Sequence, residues 1–165
     1  MQNYNLENVK ILCLDPSERG HVVVKTILSA MRVKEIKCVL TMKEAFAEMG
    51  RFRPDIVITE YDLETANAFE FIRQIRTGDN SPDPYVPVIL LTAQTERPVV
   101  VGARDSGANY TMAKPISVKE LYRAICRFIE ESTEFVKTKK FFGPDRRRRN
   151  MEFEGEDRRQ PPEET

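Results

Sequence analysis

Two groups of residues in this sequence have the types and spacing to do chemistry. The first lies near the C-terminus, where FFGPDRRRR (141–149) is followed by FEGEDRR (153–159). Phe141, Gly143, Asp145, Arg146 and Arg147 recur as Phe153, Gly155, Asp157, Arg158 and Arg159, so F-x-G-x-D-R-R occurs twice. Arginine presents a planar fork that pairs with phosphate oxygens or with guanine O6 and N7, and it stacks on base faces. Asp145 and Asp157 add acceptors for the guanine N1–H and exocyclic amine. An arginine beside an aspartate therefore reads guanine, whereas arginine alone suits any phosphate. The second group comprises Asp15, Glu60, Thr92 and Lys114, each at or just beyond the end of a short apolar run.

The repeat stands in a segment with almost no aliphatic residues, too little apolar area to offset the ordering of its backbone. It is therefore expected to serve a ligand rather than a core. A twofold peptide repeat matches a ligand with twofold symmetry, and cyclic di-GMP has two guanines and two phosphates. The expected contacts are Phe142, Gly143, Asp145, Arg146, Arg147, Arg148 and Arg149 from the first copy, and Gly155, Asp157, Arg158 and Arg159 from the second. The glycines would permit close backbone approach, and the phenylalanines would pack on stacked bases or on the preceding domain. A solvated basic tail that meets polyanions nonspecifically is the plainer alternative. A nucleic-acid arm is a third reading, since Lys139, Lys140 and the arginines could neutralise several phosphates. Residues 137–149 hold seven Lys/Arg against one acid, but 150–165 hold two Arg against six acids. Those acids would repel a long phosphate backbone, which argues against nucleic acid.

The elements that must position the second group can be read from hydrophobic patterning. VKILCLD (9–15), IKCVL (36–40), DIVIT (55–59), VILLT (88–92) and NYTMA (109–113) read as short strands, the apolar ones buried on both faces. Between them lie helical patterns. Asp15 is expected as N-cap of the first, with Pro16 at its first position and Glu18 completing a capping box, and that helix should run to about Met31. Thr41 caps a second that stops at Gly50, Ala68–Arg76 forms a third, Pro98 begins a fourth ending at Gly107, and Ser117 caps a fifth through about Glu131. Leu121, Ile125, Phe128 and Ile129 make the inner stripe of the last. Strands alternating with helices imply crossover connections and a doubly wound, five-stranded parallel α/β sheet, whose site lies at the carboxyl ends of the strands. Asp15, Glu60, Thr92 and Lys114 fall there. This domain should occupy 8–131, with 132–165 as an arginine-rich, flexible ligand-binding tail.

Composition narrows the rest. Lys+Arg and Asp+Glu are both 26, so overall charge identifies no partner. No apolar run is long enough to insert in a membrane, and MQNYNLENVK lacks the order of a signal peptide, so a cytoplasmic protein is expected. Cys13, Cys38 and Cys126 form no C-x-x-C pair and read as reduced structural thiols. His21, the single histidine, reads as a surface residue. No activated nucleophile, Walker-type loop or metal cluster is evident, so neither an enzyme nor a cofactor is expected.

With the acid after strand one, DIVITE, Thr92-Ala93 and Lys114-Pro115, the chain over roughly 8–131 resembles a CheY-type response-regulator receiver domain. In such receivers two acids after strand one and an aspartate of strand three hold magnesium, and that aspartate takes a phosphoryl group from a histidine kinase. This chain departs from the pattern. Pro16 stands where the second acid belongs and offers no oxygen to a hard cation. Glu60 replaces the phosphoacceptor, and its extra methylene displaces the carboxylate from in-line geometry. Asp15, Glu60, Thr92 and Lys114 therefore read as a degenerate phosphoacceptor site without metal. Glu60 is expected to pair with Lys114 and imitate the phosphorylated form, or to be a remnant ion pair, with Asp15 only a cap. The switch position is Thr111, with the aromatic Tyr110 one place earlier. Receiver and tail together resemble the Cle family, CheY-like effectors that bind cyclic di-GMP through an arginine-rich C-terminal segment. That resemblance implies cyclic di-GMP as ligand, the flagellar motor switch protein FliM as partner, and recruitment to the motor at the cell pole.

Overall fold

The computed structural model describes residues 4–131, 135–138 and 141–144. A five-stranded parallel sheet is built from β1 (Lys10–Leu14), β2 (Glu35–Val39), β3 (Ile56–Glu60), β4 (Val88–Thr92) and β5 (Tyr110–Ala113), in the order β2-β1-β3-β4-β5. Helices α1 (Glu18–Ala30), α2 (Met42–Phe52), α3 (Ala68–Thr77), α4 (Arg97–Ser106) and α5 (Val118–Glu130) form the crossovers. The strands alternate between two cores: Leu12, Leu14, Val57, Val88 and Leu90 face α2, α3 and α4, while Ile11, Cys13, Ile58, Ile89 and Leu91 face α1 and α5. This two-sided burial is why β3 and β4 read as unbroken apolar runs rather than alternating ones.

Several helix ends follow local chemistry that the sequence suggested, and others do not. Thr41 and Ser117 cap α2 and α5, their hydroxyls accepting from the Glu44 and Glu120 amides. Gly107 ends α4 in the left-handed region at φ 105°, where a side chain would be strained. Asp15, expected as N-cap of α1, is displaced from that role by Ser17, which accepts from Gly20 N at 3.4 Å. Asp15 lies two residues earlier, its Oδ1 accepting from Ser17 N at 2.8 Å. α2 does not stop at Gly50 but runs on to Phe52 and closes at Arg53, φ 51°, because Pro54 cannot continue it. In α5, Ile129 is 44% exposed, and Ala124 takes its place in the stripe with Leu121 and Ile125. His21 is half-buried, its Nε2 3.1 Å from the Val39 carbonyl oxygen, rather than free on the surface.

Beyond α5 the chain forms an antiparallel hairpin of β6 (Phe135–Lys137) and β7 (Phe142–Pro144), pairing Phe135 with Pro144 and Lys137 with Phe142. It packs on the body of the protein at the foot of β4 and β5. Phe135, Phe142 and Tyr85 form an aromatic cluster with centroids 5.1–5.6 Å apart. Beneath Phe135, 5.0 Å from its ring, is the guanidinium of Arg76, only 3% exposed. Burial pushes the Arg76 pKa down to about 10, which still leaves it charged at neutral pH. Its donors are met by the carbonyls of Gly107 (3.0 Å), Pro84 (2.9 Å) and Val86 (2.8 Å) and by Asn109 Oδ1 (2.8 Å). The hairpin closes on itself where the Thr138 amide donates to the Phe141 carbonyl at 2.7 Å.

Candidate functional site

Because all five strands run the same way, Asp15, Glu60, Thr92 and Lys114 are carried to one end of the sheet, β1, β3, β4 and β5 each delivering one. The Asp15 and Glu60 side chains line one small cavity with Cys13, Gly20, His21 and Val24. Both are 8% exposed. Glu60 Oε1 accepts from the Tyr61 amide at 2.9 Å. Its Oε2 has no regular hydrogen bond but forms an ion pair with the Lys114 ammonium, as the sequence suggested. Thr92, 1% exposed, turns its hydroxyl onto Gln94, accepting from that amide at 2.9 Å and donating to that carbonyl at 3.1 Å.

The donor set is a poor match for magnesium, which demands near-octahedral oxygen ligands. One Asp15 oxygen is engaged by Ser17 N, both Glu60 oxygens are engaged by Tyr61 N and Lys114, and Pro16 supplies none. Among the described residues no group of three or more His, Cys, Asp or Glu could hold a metal ion. The arrangement is an occupied electrostatic pair at a strand end. Tyr110, beside the switch position Thr111, is tied to α5 by donating to Glu120 Oε1 at 2.7 Å, a bond that raises its pKa.

Gly20 is a site residue that sequence reasoning missed. A Cβ there would lie 1.9 Å from Asp15 Oδ2, so the first turn of α1 can pass the carboxylate only without a side chain. A glycine in the first turn, where a helix would favour another residue, was the available signal.

At the opposite end of the sheet lies the start of the tail. Of its expected ligand contacts, Phe142 and Gly143 are in the docked hairpin. Phe142 joins the aromatic cluster, and Gly143 sits where a Cβ would approach Gly107 Cα to 3.1 Å and the Phe141 ring to 2.6 Å. The first glycine of the repeat is thus held against the body of the protein. Asp145, Arg146, Arg147, Arg148, Arg149, Gly155, Asp157, Arg158 and Arg159 lie outside the described residues.

This arrangement of sheet, strand-end acids and lysine can be compared with known proteins. The family model described as "Response regulator receiver domain" matches residues 11–126. The chain belongs to the response regulator receiver family. The Rhizobium etli protein named "Probable chemotaxis protein CheY" is 25% identical over 119 residues, covering 72% of this chain and 91% of that one. The Escherichia coli KDP operon transcriptional regulatory protein KdpE is 33% identical over 91 residues, 55% of this chain and 37% of that protein. Among solved structures, the Vibrio cholerae chemotaxis protein CheY4 superposes with a TM-score of 0.64 at 22% identity, covering 73% of this chain and 98% of that chain. The family match ends at residue 126, before the tail, and the similarities together speak for a CheY-like receiver of two-component signalling and for its fold. No helix among the described residues is long and apolar enough to cross a membrane.

Proposed function

We propose that this receiver is a cyclic di-GMP effector of the Cle type, which binds the second messenger through its F-x-G-x-D-R-R repeat and then engages the flagellar motor switch protein FliM. The observation that carries this reading is the placement of the repeat: its basic run begins directly after a hairpin docked on a receiver whose acceptor carboxylate is tied to Lys114. Input by phosphorylation is disfavoured by Glu60 and Pro16, so the signal enters through the tail. Arg146, Arg147, Arg148, Arg149, Arg158 and Arg159 contact phosphates and guanine edges, and Asp145 and Asp157 accept from guanine. Binding alters the surface offered to FliM. Affinity for FliM and for ligand then rise by the same factor. The protein acts in the cytoplasm and gathers at the motor when ligand is bound.

Titration calorimetry tests the reading, with GTP and linear diguanylate as controls at moderate salt. Cyclic di-GMP should bind the intact protein selectively, and Arg147→Ala with Arg159→Ala should abolish binding while leaving the thermal midpoint nearly unchanged. Absence of selective binding overturns the ligand assignment. Equal FliM affinity with and without cyclic di-GMP overturns the coupling.

A further inference from the structure

Cys13 of β1 and Cys38 of β2 are direct partners in the parallel register. Both belong to the side of the sheet covered by α1 and α5, Cys13 within that core and Cys38 against it. Adjacent strands run about 4.8 Å apart, inside the roughly 4.4–6.8 Å Cα separation a disulfide requires. Each thiol acts on the other's titration, Cys38 raising the pKa of Cys13 and Cys13 lowering that of Cys38. Their surroundings differ in the way a reacting and a resolving thiol should differ. Cys38 is half-buried on the edge strand, and Cys13, with His21 and Lys25 nearby, draws its pKa down to about 7. Cys13 is 2% exposed, and its pKa is raised by Cys38 and by burial. All three cysteines are free thiols, and Cys126, on α5, is an internal comparison.

We propose that Cys13 and Cys38 form a redox modification site, in which hydrogen peroxide oxidises Cys38 and Cys13 resolves the product to a cross-strand disulfide. The Cys38 thiolate attacks a peroxide oxygen: an S–O bond forms, the O–O bond breaks, and the leaving hydroxide takes a proton to become water. The sulfur loses two electrons and the peroxide gains them. The Cys13 sulfur then attacks Cys38, giving up its proton as the S–O bond breaks and a second water leaves. A dithiol reductant reverses the product by exchange. Cys13 also lines the cavity shared by Asp15 and Glu60, so the bond forms beside the strand-end site.

The test uses the reduced intact protein treated with hydrogen peroxide, quenched by alkylation and mapped by non-reducing tryptic mass spectrometry. The expected product links the peptide Ile11–Arg19 to Cys38–Lys43 and disappears with dithiothreitol. Cys38→Ser should abolish it, Cys126→Ser should leave it unchanged, and Cys13→Ala should instead leave a dimedone-reactive sulfenic acid at Cys38. Free Cys13 and Cys38 after excess peroxide, a sulfenic acid persisting at Cys38 in the unmodified sequence, or a link through Cys126 or between chains would overturn the proposal. The wild-type map decides the matter even if a variant folds poorly.

Discussion

Within α1, replacing glycine by alanine would ordinarily stabilise a helix by about 1 kcal/mol. At Gly20 the sign should reverse, because the new methyl would press on Asp15 Oδ2 and Cγ at 1.9 and 2.5 Å and drive the carboxylate off Ser17 N. Overpacking of this kind costs about 1–3 kcal/mol, so Gly20→Ala should lose about 1 kcal/mol net in urea unfolding. In an Asp15→Ala background the same change should stabilise, which isolates the carboxylate as the cause. Cys38 carries a pH prediction. Its thiol titrates near 7 against an ordinary 9.0, with Cys13, His21, Lys25 and Asp15 as the groups that set it. An acid whose pKa is lowered by folding adds stability that is present above its unfolded pKa and is lost as pH falls through the folded one. Stability should thus rise from pH 7 to 9, and Cys38→Ser should flatten that rise. Thiolate absorbance should titrate in step. Cys13 acts with opposite sign, and only toward and above its ordinary 9.0, because its pKa is raised.

The elements divide by how their information is stored. β3 and β4 were legible because burial on both faces writes an unbroken apolar run, and the strand-end positions of Glu60 and Thr92 followed from them. Helix ends were less so: Ser17 and Asp15 are both competent caps two residues apart, and only Asp15's place beside Gly20 decides between them. Gly50 looked like a stop, yet a Cβ there would meet nothing within 4 Å and the helix passes through it. The β6–β7 hairpin could not be read locally. Each strand is three residues long, and what fixes them is distant in sequence, namely Tyr85, Arg76 and Gly107. The described part of the tail lies at the foot of β4 and β5, where Arg76 offers a charged floor to Phe135. Phe135→Ala should free this hairpin, read as much faster tryptic cleavage after Lys137. The unfolding midpoint of the receiver should barely move, because Arg76 keeps its carbonyl partners.

At the scale of the whole molecule, the acid–lysine pair and the tail's root stand at opposite ends of the same parallel sheet. Mutations at such separated places should act independently. Glu60→Gln should therefore leave cyclic di-GMP affinity unchanged in calorimetry, whereas Phe135→Ala should weaken it by freeing the origin of the basic run. A marked effect of Glu60→Gln would mean that the two ends communicate. The docked hairpin has one more consequence. With Gly143 seated on Gly107, the chain after Pro144 leaves from a fixed pier rather than from the end of a loose tether, so its reach is counted from the foot of β4 and β5. The origin of the basic run is thereby set at the end of the sheet away from Glu60.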